Sequence, residues 1–268
     1  MLSNLHTHTT FCDGKSTAEE TVLAAIKKGF VSIGFSGHGY TAFELTSCMK
    51  DEEGYIREIN RLKELYKNEI EIYLGTEEDS FSLVDRSKYE YIIGSSHFLK
   101  LNNRILPLDL RIECMNECLS AFGGNITAIS ESYYGGFASY LKSRHPDVVG
   151  HFDLLTKYDE KMGPYFLGNP AHDKIAERFI TELGKDGFLF EVNTGAIARG
   201  YRTHPYPATN LLYKLKESGS PITLTSDCHN AEYLDCYFKE SKELLYDIGF
   251  RELTILRNHN FTKIPLTI

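Results

Sequence analysis

Short apolar segments alternate with segments of helical periodicity along the whole chain, and this alternation limits the possible folds more than any other feature. The apolar segments, interpreted as strands, cover residues 3–8, 31–35, 70–74, 91–94, 148–151, 188–192 and 222–225. Helical spacing falls between them, at residues 17–28, 55–66, 111–121, 175–184 and 211–218. Such alternation is typical of a parallel sheet covered by helices. We therefore expect an α/β barrel in which the carboxyl ends of all strands share one face.

Length and composition are consistent with one such barrel. A chain of 268 residues, 42% of them hydrophobic, is long enough for a single large core, so residues 1–268 are predicted to form one domain. The formal net charge of -8 disfavours binding to nucleic acid or to an anionic membrane surface. The N-terminus has no basic segment followed by an apolar one, and no stretch approaches the length of a membrane span. A cytoplasmic protein is expected.

Smaller signals refine the predicted elements. Ser16 and Glu19 have the spacing of a capping box at the start of the first helix. Residues 133–136 and 157–169 are interpreted as long functional loops, and an apolar segment at 253–256 is interpreted as an additional edge element. None of these segments has the composition of a linker between domains.

Histidines close most of the predicted strands. His6 and His8 end the first strand two residues apart, so their rings project to the same side and could chelate one ion. His38, His97 and His151 each follow small residues at the end of a later segment, where the backbone allows a ligand to approach closely. A single histidine in such a place is more often a hydrogen-bonded structural residue. Three repeats of the pattern indicate a metal site on the carboxyl face of the barrel.

Carboxylates accompany these histidines. Asp227 and His229 lie on the same side of the last strand, where they offer one oxygen and one nitrogen donor. Three consecutive acidic residues occupy positions 77–79 after the third strand, and one of them is expected to face the barrel interior. Glu77 is the first choice for that role, and Glu78 is the alternative.

The ordered motifs resemble those of the polymerase-and-histidinol-phosphatase (PHP) superfamily: HxH, an acidic residue in the next turn, His after the second strand, GxE, SxH, GH and DxH. Over essentially its full length the chain most resembles the monofunctional histidinol-phosphatases of that superfamily. The resemblance implies a distorted (β/α)7 TIM-like barrel that binds three divalent ions, Zn, Mn or Fe. The acidic residue is Asp13, which alone is an ordinary turn residue and which replaces a histidine of many relatives. An oxygen ligand there would favour a harder metal.

The resemblance, carried over by position, distributes nine residues among the three ions. The first ion is assigned to His6, His8, Glu77 and Asp227. The second is assigned to His97 and His151, with Glu77 as the bridge. The third is assigned to Asp13, His38 and His229. Glu77 and Asp227 are the carboxylates expected to take part in catalysis.

The implied reaction is the hydrolysis of a small phosphate monoester, L-histidinol phosphate, to L-histidinol and inorganic phosphate in histidine biosynthesis. A hydroxide shared by two ions is a strong nucleophile at neutral pH, and the ions offset the charge of the phosphate oxygens. The phosphate also needs a cation outside the metal site. Arg199, in the loop after the sixth strand, is the first choice, with Arg202 second and His204 as a further substrate contact. Either arginine could instead be a solvated loop charge.

Two other functions fit parts of the pattern. One is a PHP phosphoesterase or exonuclease acting on nucleotides or nucleic acid, which the acidic composition and the lack of a basic stripe disfavour. The other is a metal-binding regulatory module without turnover, which the intact set of ligands disfavours. We therefore expect a metal-dependent phosphoric monoester hydrolase that binds neither nucleic acid nor membranes.

Overall fold

The computed structural model describes residues 1–268 and contains strands that alternate with helices, as predicted. The strands are β1 (Leu2–Asn4), β2 (Phe30–Phe35), β3 (Glu71–Asp79), β4 (Tyr91–Ser95), β5 (Phe98–Leu101), β6 (Arg104–Pro107), β7 (Val148–Val149), β8 (Phe190–Asn193), β9 (Ile222–Thr225), β10 (Glu252–Arg257) and β11 (Asn260–Pro265). Seven of them form one parallel sheet in the order β1-β2-β3-β4-β7-β8-β9. These seven correspond to the seven predicted strands.

The parallel sheet closes almost completely into a barrel. At its carboxyl end the segments after β1 and β9 meet: the amide of His8 donates to the carbonyl of Cys228 at 2.8 Å, and the amide of Cys228 donates to the carbonyl of His6 at 3.0 Å. Inside the barrel, the Tyr91 hydroxyl on β4 donates to the carbonyl of Leu5, on the far side of β2 and β3, at 2.5 Å. The predicted (β/α)7 TIM-like barrel is confirmed, and its strand ends converge on one face.

The helices lie outside the barrel or on its rim. They are α1 (Ala18–Lys27), α2 (Glu52–Leu65), α3 (Ile112–Ala121), α4 (Ile126–Arg144), α5 (Asp159–Met162), α6 (Pro170–Lys185), α7 (Gly195–Ala198), α8 (Thr209–Ser218) and α9 (Phe238–Ile248). The five predicted helices correspond to α1, α2, α3, α6 and α8, with shifted ends. None of the helices is long and apolar enough to cross a membrane.

The capping box of α1 begins one residue later than predicted. Thr17 and Glu20 form it: the Thr17 amide donates to the Glu20 carboxylate at 2.8 Å, and the Glu20 amide donates to the Thr17 hydroxyl at 3.2 Å. The predicted pair, Ser16 and Glu19, has the same spacing in the sequence as Thr17 and Glu20. The Ser16 hydroxyl instead accepts from the amide of Ala231 at 3.1 Å, and so connects the helix start to the segment after β9.

The prediction of a loop at residues 133–136 is wrong, because these residues lie in the middle of α4. Gly135 and Gly136 suggested a loop, and each costs about 1 kcal/mol in a helix relative to alanine. Tyr133, Tyr134 and Phe137 on the same helix are almost completely buried. Burial of aromatic side chains, at roughly 1.5–3 kcal/mol each, outweighs the cost of the two glycines.

Other segments refine the prediction without changing the fold. Residues 157–169 contain the short helix α5 within an otherwise irregular segment. The apolar segment at 253–256 belongs to β10, which pairs with β11 as a separate antiparallel hairpin and not with an edge of the barrel sheet. A second antiparallel hairpin, β5–β6, lies between β4 and α3 in the chain.

A single cluster of 56 buried residues forms most of the hydrophobic core. A smaller cluster contains Leu5, Tyr91, Ile93 and Val148, from strands on opposite sides of the barrel. Apolar side chains therefore fill part of the barrel, and the polar residues are concentrated where the strands end. The organisation of residues 1–268 as one domain stays a prediction.

Candidate metal centre and substrate pocket

A cavity of about 230 Å³ opens on the carboxyl face of the barrel, where the strand ends converge. Seven of the nine predicted metal ligands line it: Asp13, His38, Glu77, His97, His151, Asp227 and His229. The remaining two, His6 and His8, are buried and contact the others from the segment after β1. The structure thus brings all nine residues together, although they come from segments that are distant in the sequence.

Glu77 lies at the centre of this cluster. Its Oε2 atom is 2.9 Å from Nδ1 of His38, 3.3 Å from Nε2 of His6 and 3.5 Å from Nε2 of His8. The side chain is 1% exposed, so the charge of the carboxylate is balanced by these neighbours and not by water. One carboxylate oxygen therefore faces three imidazole rings.

The second oxygen of Glu77 faces two further histidines. Its Oε1 atom is 2.9 Å from Nε2 of His151 and 3.2 Å from Nε2 of His97. The other ring nitrogen of His97 lies 3.2 Å from the carboxylate of Asp79, which also accepts the His97 backbone amide at 2.8 Å. The two oxygens of Glu77 therefore face different histidines.

Asp13 groups with a different set of histidines. Its Oδ2 atom is 3.3 Å from Nε2 of His229, and its Oδ1 atom is 3.7 Å from Nε2 of His38. The rings of His8 and His229 stack with their centroids 4.1 Å apart. One ligand atom from each of these four residues lies within 4.8 Å of all the others. They could therefore share one ion.

The backbone at Asp227 is unusual and points its side chain into the cluster. Asp227 has a left-handed conformation, with φ of 44°, which aspartate tolerates better than most residues. Its Oδ1 atom is 3.2 Å from Nε2 of His8. Gly195, at the start of α7, packs so closely that a Cβ atom there would be 2.8 Å from Cβ of Asp227. Only glycine leaves room for this arrangement.

The donor atoms of the cluster fit divalent metal ions. Four of the buried side-chain atoms without a hydrogen-bond partner belong to residues of the cluster: Nε2 of His6, Nε2 of His8, Nδ1 of His151 and Oε2 of Glu77. Buried polar atoms without partners are costly and rare in folded proteins. Two ligands of a tetrahedral ion, each about 2.1 Å from it, lie about 3.4 Å apart. The nitrogen–oxygen distances of the cluster, 2.9 to 3.7 Å, bracket this separation.

Burial and neighbouring charges control the protonation of these groups. Burial, with His229 and His38 nearby, lowers the pKa of His8 to about 3, so His8 is neutral at pH 7 and its lone pair is free for a metal. Burial alone would raise the pKa of Glu77. The surrounding histidines, His38 and His97 foremost, outweigh burial and hold that pKa well below its usual range. Glu77 is therefore ionised.

Glu191 on β8 belongs to the site but was missed in the sequence. Its carboxylate lies 2.8 Å from Nδ1 of His6 and accepts the backbone amide of His151 at 2.6 Å. The contact with His6 leaves Nε2 of that ring directed towards Glu77. Burial lowers the pKa of His6, but Glu191 and Glu77 raise it well above its usual value, so protons compete with a metal there. A charged residue inside an apolar strand was the available signal, because an isolated buried charge is costly.

Glu78, the alternative to Glu77, points away from the cluster. Its carboxylate accepts hydrogen bonds from the Tyr140 hydroxyl at 2.7 Å, from the Arg144 guanidinium at 2.8 Å and from the Val84 amide at 2.8 Å. Successive side chains of a strand face opposite sides, and β3 extends through both residues. The geometry therefore assigns Glu77 to the site and Glu78 to a structural network outside it.

Two cationic side chains, Arg199 and Lys157, line the cavity beside the histidines. Arg199, predicted as a phosphate contact, donates to the carboxylate of Asp227 and to Nδ1 of His229, each at 2.9 Å. Lys157 is 7% exposed and donates to the carboxylate of Asp109 at 3.0 Å. Sequence reasoning missed Lys157, because nothing in its neighbourhood distinguishes it from a solvated loop lysine.

Arg202 and His204, predicted as substrate contacts, do not line the cavity. Arg202 is 4% exposed, donates to the carboxylate of Asp153 at 3.4 Å and stacks on the ring of Tyr206 at 4.1 Å. The Arg202 side chain is 1% exposed, against 29% for that of Arg199. His204 is on the surface, where its ring hydrogen-bonds with the neighbouring hydroxyl of Thr203.

A parallel barrel with histidines and carboxylates gathered at its carboxyl end is the architecture of the barrel metallohydrolases. Comparison with known families agrees: the PHP domain matches residues 4–195. The chain belongs to the PHP domain family. The match includes seven of the nine clustered residues, and Asp227 and His229 follow it in the sequence.

Individual relatives carry related names. The chain is 29% identical to the histidinol-phosphatase of Bacillus subtilis, over 84% of this chain and 92% of the relative. It is 26% identical to a "probable histidinol-phosphatase" of Schizosaccharomyces pombe, over 94% of this chain and 88% of the relative. Among solved structures, the histidinol phosphate phosphatase of Lactococcus lactis, in complex with zinc, L-histidinol and phosphate, superimposes with a TM-score of 0.72. That match covers 97% of this chain and 98% of the other at 18% identity, and it shows the shared fold.

Proposed function

We propose that the protein hydrolyses L-histidinol phosphate to L-histidinol and inorganic phosphate, as a metal-dependent phosphatase of histidine biosynthesis. The observation that carries this proposal is the cluster of nine histidines and carboxylates at the bottom of a cavity that is also lined by two cationic side chains. The names of several relatives that match most of the chain support the same substrate.

Three divalent ions, Zn, Mn or Fe, are proposed for the cluster. Bound ions would supply an activated water and would offset the negative charge of phosphate oxygens. Glu77 would be shared by two ions, because its oxygens face separate groups of histidines. Asp227 would contribute an oxygen next to His8, and Asp13 would complete the group with His229.

The residues of the chain position the phosphate group. Lys157 and Arg199 reach the cavity from two different segments, so they can contact phosphate oxygens that do not face the ions. Both are held by acidic neighbours, Asp109 and Asp227, which fix where the charges lie before substrate binds. Preorganised cations of this kind stabilise the charge that develops as the phosphate is transferred to water.

The shape of the cavity favours a small substrate. A cavity of about 230 Å³ is of the scale that holds a phosphate with a small organic group. The cationic groups lie inside the cavity and do not form a stripe along the surface. We therefore include in the proposal a phosphate-monoester substrate, no binding to nucleic acid or membranes, a cytoplasmic location and one domain over residues 1–268.

A phosphate-release assay tests the proposal. L-Histidinol phosphate, several nucleoside monophosphates and a chromogenic phosphodiester would be compared at equal concentration, with the metal content of the protein measured in parallel. We expect kcat/KM to be highest for L-histidinol phosphate by at least about tenfold, a difference of roughly 1.4 kcal/mol. Equal or faster cleavage of the nucleotides or of the diester would overturn the substrate assignment. The variant Glu77→Gln serves as the control for contaminating phosphatases.

A further inference from the structure

The segment between β2 and α2 contributes a wall of the cavity that the metal cluster does not use. Thr41, Glu44, Ser47 and Cys48 of this segment line the cavity. Glu44 is 9% exposed, which is unusual for a glutamate in an irregular segment. A buried carboxylate in the wall of a binding cavity calls for an explanation.

The hydrogen-bond partners of Glu44 are all neutral. One carboxylate oxygen accepts the amide of Thr46 at 2.6 Å and the hydroxyl of the same residue. The other oxygen accepts the amide of Ser47 at 3.2 Å and its hydroxyl at 2.5 Å. These donors hold the carboxylate in one orientation and stabilise its charge, but none of them neutralises that charge.

The other carboxylates of the cavity all have cationic or imidazole neighbours. Asp13, Glu77 and Asp227 face the histidines of the cluster, and Asp79 faces His97. Asp109 pairs with Lys157. Glu44 is in no ion pair. It is therefore the one acidic group of the cavity that is free to pair with a positive charge brought by a ligand.

The surroundings of Glu44 fit an organic cation better than a metal ion. Phe98 lines the same cavity, and its ring packs edge-on against Phe43, the residue before Glu44, at a centroid distance of 4.9 Å. Leu110 lines the cavity as well. An aromatic and aliphatic surface beside a single carboxylate suits a group with an apolar body and a positive charge.

We propose that Glu44 is a specificity-determining residue that binds the ammonium group of the substrate, in a subsite it forms with Phe98. This inference rests on the proposed function, in which the phosphate lies at the metal cluster and the organic part of the ester extends towards the cavity walls. A substrate that carries both a phosphate and an ammonium group, as L-histidinol phosphate does on neighbouring carbons, then pairs each charge with an opposite charge. A phosphate ester with a neutral organic group leaves Glu44 unpaired in the complex, and that costs affinity.

The test compares two substrates that differ only in the ammonium group: L-histidinol phosphate and its deamino analogue, imidazolylpropyl phosphate. We expect Glu44→Gln to lower kcat/KM for L-histidinol phosphate by about 10- to 100-fold, the effect of losing one charge-assisted hydrogen bond. The change should appear mainly in KM. For the deamino analogue we expect a change of less than about threefold, because that substrate brings no ammonium group to Glu44 and glutamine keeps one oxygen that can accept one of the two amide hydrogen bonds of the segment.

Two further variants separate recognition from folding. Glu44→Asp keeps the charge but withdraws it by one methylene, so it should retain part of the preference for the ammonium substrate. Glu53→Gln makes the same charge change on the exposed surface of α2 and should leave kcat/KM unchanged for both substrates. If Glu44→Gln folds poorly, inhibition of the wild-type protein still tests whether the ammonium group is recognised. L-Histidinol should then inhibit at least about tenfold better than its deamino analogue.

The outcomes distinguish this inference from the proposed function. If the wild-type protein hydrolyses L-histidinol phosphate but Glu44→Gln slows both substrates equally, the function stands and Glu44 only shapes its segment. Equal inhibition by L-histidinol and its deamino analogue overturns the inference in the same way. If the wild-type protein releases phosphate from neither substrate, the proposed function fails and the inference fails with it.

Discussion

Adjacent glutamates on β3 should have opposite roles, and exchanging each for glutamine separates them. Glu77→Gln removes the charge that faces five histidines, so it should cost the protein at least one equivalent of metal and most of its activity. Glu78→Gln removes the charge that faces Arg144 and Tyr140, so it should cost stability and leave the metal content intact. The two substitutions are chemically identical and one residue apart.

The structure supports an estimate for each effect. Removing one partner of a fully buried ion pair costs about 3–5 kcal/mol. Arg144 is 23% exposed and keeps a hydrogen bond to the Val84 carbonyl at 2.6 Å, so about 2–3 kcal/mol is expected for Glu78→Gln after allowing for solvent screening. In a chain of this length that lowers Tm by roughly 4–12 °C. Loss of the carboxylate proposed to be shared by two ions, in Glu77→Gln, should lower kcat by at least about 1,000-fold.

Elemental analysis, thermal unfolding and phosphate release on both variants form the assay. Unfolding is measured with and without a chelator, so that a loss of metal is not mistaken for a loss of the ion pair. The reasoning is refuted if Glu78→Gln loses as much metal as Glu77→Gln. It is also refuted if Glu77→Gln keeps its full metal content and wild-type kcat.

Three other expectations concern the cations, the metals and pH. Arg199→Ala should lower kcat/KM by an amount equivalent to about 2–4 kcal/mol of transition-state stabilisation. Arg202→Ala should instead lower the free energy of unfolding by about 3–5 kcal/mol, because it leaves Asp153 unpaired. Kinetics and denaturant unfolding of both variants check this, and similar losses of kcat/KM in the two variants would contradict it. The purified protein should contain close to three equivalents of Zn, Mn or Fe and lose activity to a chelator, and one equivalent with full activity would exclude this. Burial raises the pKa of Asp159 to about 6. The folded state therefore keeps a proton on this carboxyl group that the unfolded chain releases near pH 4. Because of this difference, the free energy of unfolding decreases as the pH rises from about 4 to 6. Asp159→Asn should therefore gain in Tm over the wild type more at pH 7 than at pH 4, and a constant difference across that range would count against this cause.

Parts of the site were open to sequence reasoning and parts were not. The sequence left Glu77 and Glu78 as alternatives for the residue that faces the interior. Strand alternation shows that the two side chains face opposite sides of the sheet, but it does not show which side is the interior. Glu191 left a signal, a charge within an apolar strand, and was still missed. Lys157 left none. The position of Lys157 depends on the path of an irregular segment and on its ion pair with Asp109, which follows the unpredicted hairpin β5–β6.

The sequence by itself determined the barrel and which histidines and carboxylates meet at its carboxyl face. Periodicity along the chain specifies strands and helices, and a parallel barrel brings every strand end to one face whatever the details of packing, so residues at those ends must meet. The tertiary structure alone decided the roles of the loop residues. Arg199 and Arg202 are three positions apart, chemically identical and each paired with a buried aspartate, yet of the two only Arg199 lines the cavity. That difference arises from contacts between segments that are distant in the sequence. A buried charge without a partner is costly, so each arginine pairs with the carboxylate that the fold buries next to it, and no local sequence pattern encodes which carboxylate that is.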